Sequence, residues 1–139
     1  MNLTHKVLEI STMGPGLYEF GDDVFSFVSS SGISDGLLTL FCRHTSCSLL
    51  IQENADPDVR ADLDEFFARI VPRDMKWIRH HMEGSDDMPA HIKTALTSTS
   101  ISIPVIDQKL VLGIWQGIYL FEHRDKNHNR QVLAHLIGS

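Results

Sequence analysis

The sequence predicts a compact α+β fold, largely antiparallel sheet with a few packed helices. Three observations carry that expectation. Apolar runs of strand length outnumber segments with helical periodicity, the two kinds are interspersed, and 139 residues suit a single domain, 1–139. A chain near this length buries roughly two thirds of its unfolded surface, so it can build a core without disulfides or a structural metal.

His5 to Ile10 alternates polar and apolar residues and reads as a strand, ending at the turn signal Gly14-Pro15-Gly16. Asp22 is placed to cap a short helix with Val24, Phe25 and Val28 on its apolar face. Leu37 to Cys42 reads as a buried strand, and after the polar break Arg43-His44-Thr45 another runs from Ser46 to Ile51. The clearest helix starts at Asp56-Pro57: an N-cap, then proline at the first helical position, with acidic residues in the first turn. Its apolar face (Val59, Leu63, Phe66, Phe67, Ile70) is expected in the core, and Pro72 ends it. Arg73 to Ala90 has little periodicity; a long irregular stretch in a compact domain points to function. A short helix is expected near His91 to Thr97. The C-terminal third reads as an antiparallel meander. Ile101 to Ile106 turns at Asp107-Gln108 into Leu110 to Leu112, Gly113 marks a bulge before Trp115 to Phe121, and Gln131 to Ile137 closes the sheet. Lys126 to Asn129 reads as a charged hairpin loop.

Composition narrows the function. Twelve basic and 18 acidic residues give a formal charge of −6 with no basic block, which argues against nucleic acid and against an anionic membrane surface. No apolar run approaches the roughly 20 residues needed to span a bilayer, and no signal-peptide pattern opens the chain, so the cytoplasm is the expected location. Cys42 and Cys47, the only cysteines, sit in apolar stretches and read as buried small side chains. A Gly-x-x-x-x-Gly-Lys loop, a Gly-x-Gly-x-x-Gly fingerprint and a Gly-x-Ser-x-Gly elbow are all absent.

Three polar islands interrupt the apolar elements. Arg43 to Ser48 places His44 beside the Thr45 and Ser46 hydroxyls, a set suited to phosphate oxygens or simply to a satisfied turn. His80 to His91 mixes imidazoles and carboxylates, donors that zinc, manganese or iron accept; a solvated acidic loop is the alternative. Glu122-His123-Arg124-Asp125, with Arg130 beyond, offers a carboxylate and a guanidinium fork for an anion. Gln116 and Gln52-Glu53-Asn54 are either paired amides and acids or pocket walls.

These islands, in this order, resemble the YjbQ family. The likeness rests on His44-Thr45-Ser46 with Ser48, Glu53-Asn54 before Asp56-Pro57, His80, Glu83 to His91, Ser98 to Pro104, Leu112 to Ile118, Glu122 and Arg130. The resemblance implies a homotrimer with polar pockets near subunit contacts. It also implies a thiamine-phosphate synthase activity, secondary or main, that joins a hydroxymethylpyrimidine diphosphate to a thiazole phosphate and releases pyrophosphate. On that reading a divalent ion (zinc, magnesium or manganese) is held by His80, Asp87 and His91. His44, Thr45, Ser46 and Glu122 are then catalytic, and Asn54, Gln116 and Arg130 contact a small phosphorylated metabolite. Two departures stand out. Asp87-Met88-Pro89-Ala90 replaces a frequent Asn-Ala pair, and Arg124-Asp125-Lys126-Asn127 replaces a frequent Asp-Gly-Pro-Arg. The alternatives are a hydrolase or transferase of another phosphorylated metabolite, or a non-catalytic trimeric metal- or ligand-binding protein.

Overall fold

The computed structural model describes residues 1–139. In chain order the elements are β1 (Asn2–Met13), β2 (Gly16–Glu19), α1 (Gly21–Ser30), β3 (Gly36–Cys42), β4 (Cys47–Glu53), α2 (Pro57–Ile70), α3 (Asp87–Leu96), β5 (Ser100–Ile106), β6 (Lys109–Leu110), β7 (Gln116–Glu122) and β8 (Asn127–Gly138). They form two sheets, one of five strands ordered β1-β8-β3-β5-β6 and one of three ordered β2-β7-β4. Every strand pairing is antiparallel, as the α+β expectation requires. No helix is long and apolar enough to cross a membrane.

The core lies between the sheets. Leu38, Leu40, Val132, Ala134 and Leu136 of the larger sheet meet Leu49, Ile118 and Leu120 of the smaller, with Val24, Phe27 and Val28 of α1 closing one end. β7 is buried on both faces because its alternate residues serve two layers. Ile118 and Leu120 belong to the inter-sheet core, while Phe121 packs edge-on against Phe67 of α2 with ring centroids 5.3 Å apart.

Several expectations are corrected. α1 has no side-chain cap; its cap position is Phe20 and Asp22 lies in the first turn. Its core face is Val24, Phe27 and Val28, at i, i+3, i+4 spacing, which turns Phe25 outward. α2 starts as predicted, the Asp56 side chain accepting from the Asp58 amide at 2.9 Å. Its apolar face is not core, however: none of its residues is buried, and Phe66 and Ile70 are 54% and 48% exposed. The space between the sheets is already filled, so α2 is left as an outer cover over β7. α3 begins four residues before the predicted start at His91, Pro89 fitting in its first turn. There is no C-terminal meander. β5 and β6 form the predicted hairpin, with Asp107 and Gln108 both at positive φ, but β7 belongs to the smaller sheet and β8 runs between β1 and β3. Gly113 is in a turn rather than a bulge, its amide held by the Gln116 Oε1 at 2.7 Å, and Trp115 lies outside the strand. Asn127 to Asn129 is strand, paired with Met13 to Ser11.

Candidate functional site

β3 and β7 end at the same edge of the molecule, and the segments that follow them, residues 43–46 and 123–126, carry the first and third polar islands. α3 brings the second. In α3 Asp87 and His91 are one turn apart and so share a face. His80 arrives from the irregular segment, and its Nε2 lies 2.6 Å from Asp87 Oδ2. His91 Nε2 approaches the same oxygen at 3.2 Å. Each of the three side chains offers a ligand atom, and these atoms all lie within 4.8 Å of one another.

The tautomer of His91 follows from its other nitrogen. Nδ1 is 2.9 Å from the Thr45 carbonyl, which can only accept, so Nδ1 carries the proton. A neutral His91 therefore turns the Nε2 lone pair toward a carboxylate oxygen. Two acceptors face each other unless a cation lies between them or the ring is doubly protonated. An imidazole anchored through Nδ1–H to a backbone carbonyl is also the usual outer support of a metal ligand. The donor set of two imidazole nitrogens and one carboxylate oxygen thus fits a divalent ion such as zinc.

Asp87 is 2% exposed at its side chain, and its Oδ1 receives Arg124 Nη1 at 2.5 Å. Arg124 also donates Nε to Asp86 at 2.9 Å and Nη2 to the Glu83 carbonyl at 3.1 Å. Burial alone would raise the Asp87 carboxyl, but the His80 hydrogen bond and the Arg124 charge outweigh it and hold it below the ordinary range.

A second network adjoins the first through the same loops. Glu122, wholly buried, receives Arg130 Nη2 at 2.5 Å and Nε at 2.7 Å, the Thr12 hydroxyl at 2.5 Å, and the amides of His123 and Arg124. Burial pushes its carboxyl up, and the Arg130 and Thr12 hydrogen bonds more than reverse that. Arg130 Nη2 also reaches the Ser46 hydroxyl at 3.0 Å. His44 Nε2 accepts the Gln131 amide at 2.8 Å, which leaves Nδ1 as its donor. Burial and the Arg130 charge lower its pKa, favouring the neutral ring.

The sequence matches the UPF0047 protein YjbQ-like family over residues 6–139. The chain belongs to the YjbQ family. A UPF0047 protein of Synechocystis is 52% identical over 133 residues, covering 96% of this chain and 90% of that one. The UPF0047 protein YjbQ of Escherichia coli O157:H7 is 40% identical, with 96% of each chain covered. Among solved structures, an uncharacterized conserved protein of the family from Clostridium acetobutylicum superposes with a TM-score of 0.86 at 34% identity, covering 95% of this chain and 99% of that one. A conserved hypothetical protein from Thermus thermophilus gives 0.85 at 33%, with the same coverage.

Within this YjbQ-family chain the sequence-predicted residues divide. His80, Asp87 and His91 converge, with the Thr45 carbonyl on His91; Glu122, Arg130 and Ser46 form the adjoining network, and His44 is held beside it by the Gln131 amide. Asn54 and Gln116 lie elsewhere, lining a cavity of about 530 Å³ with Glu19, Gly117 and Ile114. That cavity is at the opposite end of β7 from Glu122, roughly 20 Å along the strand. Arg124 and Asp86 carry no role in the sequence reading. Asp86 and Asp87 stand at the cap and first residue of α3, whose Pro89 lies in the first turn, a signal that could have marked them. Arg124, 37 residues from Asp87, left none.

Proposed function

We propose that the protein binds one divalent ion at His80, Asp87 and His91 and acts there on a small phosphorylated metabolite. The reaction class is displacement of a diphosphate, as in thiamine-phosphate synthesis. The carrying observation is that two imidazole Nε2 atoms aim at one Asp87 oxygen while the His91 proton is held at Thr45. An ion bound there supplies charge neutralisation for a diphosphate leaving group.

The chain's own residues supply the rest. Arg124 fixes the Asp87 carboxylate from behind, and the Thr45 carbonyl fixes the His91 ring. His44, engaged at Nε2, presents Nδ1–H as a donor to a phosphate oxygen. Thr45 offers an exposed hydroxyl, and Arg130 holds the Ser46 hydroxyl in place. The Glu122–Arg130 pair sets the positions of these loops; both side chains are turned to each other. Asn54 and Gln116 lie too far away to serve the same site within one chain, so their contact with substrate belongs to a homotrimer in which a neighbouring copy supplies them. The exposed Phe66 and Ile70 of α2 support self-association. A cytoplasmic location belongs to the same reading.

Elemental analysis of the tag-free protein beside His80→Ala and His91→Ala tests the metal. One ion per chain in the parent and none in the variants is expected. Pyrophosphate release from the pyrimidine diphosphate and thiazole phosphate then tests the reaction. Metal without turnover on these or related phosphorylated metabolites would favour a binding module.

A further inference from the structure

We propose that Cys42 and Cys47 are a redox modification site, a dithiol that a peroxide closes into a disulfide beneath the loop carrying His44, Thr45 and Ser46. The last residue of β3 and the first of β4 are both cysteines, and a four-residue loop joins them. Their sulfurs lie 3.5 Å apart with the thiols free. Disulfide formation therefore needs the sulfurs to close by only about 1.5 Å. Both belong to the apolar core, and the polar network above makes no use of their thiols.

The two thiols are electronically unequal. The Cys47 hydrogen bond, helped by the His44 backbone amide, lowers the Cys42 thiol to about 7 against the opposing effect of burial. The same hydrogen bond and burial push Cys47 well up. Cys42, whose sulfur also takes the His44 backbone amide, is assigned as the nucleophile and Cys47 as the resolving thiol. The Cys42 thiolate attacks one oxygen of hydrogen peroxide, the O–O bond breaks, and protonation gives Cys42 sulfenic acid and one water. The Cys47 sulfur then attacks the sulfenic sulfur, the S–O bond breaks, and the departing hydroxide takes the Cys47 proton as a second water. Two thiols are oxidised to one disulfide and one peroxide is reduced to two waters. With Cys42 2% and Cys47 0% exposed, reaction requires opening of the loop and is confined to small oxidants.

The consequence is local. Closing the strand ends shifts residues 43–46, whose Thr45 carbonyl holds His91 Nδ1 and whose Ser46 hydroxyl holds Arg130. Oxidation thus reaches both polar networks through one loop.

The full chain is treated with hydrogen peroxide at neutral pH, then denatured and alkylated for intact mass. The expected product has lost two hydrogens and both alkylatable thiols, and dithiothreitol restores it. In Cys47→Ser, dimedone traps Cys42 as sulfenic acid; in Cys42→Ser, Cys47 stays reduced. The parent is also followed by hydrogen exchange, with altered protection expected at residues 43–46 after oxidation. Two alkylatable thiols surviving peroxide that oxidises Cys42 in Cys47→Ser overturns the disulfide. Sulfinic acid in place of the disulfide overturns it equally. Unchanged exchange at residues 43–46 in the disulfide form overturns the loop coupling.

Discussion

His91 and Asp87 sit one helical turn apart, with His91 Nε2 facing Asp87 Oδ2 across 3.2 Å and the opposite ring nitrogen donating to a backbone carbonyl. The proposed metal site rests on that relationship, and Asp87→Asn tests it. In Asp87→Asn the amide oxygen can keep the Arg124 bond, and the amide NH₂ can donate to the two imidazole lone pairs. The folded protein should therefore stay within about 1 kcal/mol of the parent in urea unfolding, a typical hydrogen-bond increment. Metal affinity should drop by more than the roughly 10–100-fold that an outer partner is worth, because a charged ligand is gone. Full metal retention in this variant would remove Asp87 from the ligand set.

Arg124 is the cation behind the cluster, paired to both Asp86 and Asp87. Arg124→Ala strands two acidic groups, one of them fully buried, and should cost about 3 kcal/mol, the lower end for breaking a buried pair. Arg124→Lys retains the charge but cannot reproduce the fork that serves Nε, Nη1 and Nη2 at once, so an intermediate loss is expected. Equilibrium denaturation of the three proteins checks the order; equal stability of the lysine and alanine variants would show that charge alone does not hold the site.

Much of this organisation is legible in the sequence where local rules decide. The Asp56-Pro57 start of α2 and the Asp107-Gln108 turn are set by capping and turn chemistry within a few residues. His44 and Glu122 announce themselves as polar groups at the ends of apolar runs, whereas Cys42 and Cys47 read only as buried small side chains. What is not legible is long-range. β8 takes a central place between β1 and β3 because its buried residues Val132, Ala134 and Leu136 fill the inter-sheet core, a choice that no local pattern encodes. The apolar face of α2 shows the same limit from the other side: periodicity marks Phe66 and Ile70 as one stripe, not what covers it. The pairing of Arg124 with Asp87 likewise depends on two loops meeting at one edge.

The Glu122–Arg130 pair should behave as a closed unit. Arg130→Met removes the guanidinium from a carboxylate that is wholly buried and should destabilise by about 3–5 kcal/mol. Adding Glu122→Gln in the same chain removes the stranded charge and should recover a large part of that loss. Thermal and urea unfolding of the single and double variants give the coupling directly. Additive losses would mean that the two groups do not depend on each other.

His123 sets a pH dependence that is separate from any metal. Its ring is buried against Phe121, Nε2 is 3.1 Å from the Ser48 hydroxyl, and Nδ1 has no partner. Burial first, then the Lys93 charge, lowers its pKa from the ordinary 6.5 to about 3. Between those values the unfolded chain takes up a proton that the folded chain refuses, so stability rises with pH across this window and falls on acidification. The slope from this one group approaches about 1.4 kcal/mol per pH unit once pH is well below 6.5. His123→Gln is uncharged throughout and removes this contribution. Urea unfolding of both proteins between pH 7 and 5, above the main carboxylate range, should show the parent losing stability faster than the variant. Parallel curves would mean that the folded protein admits a charged His123.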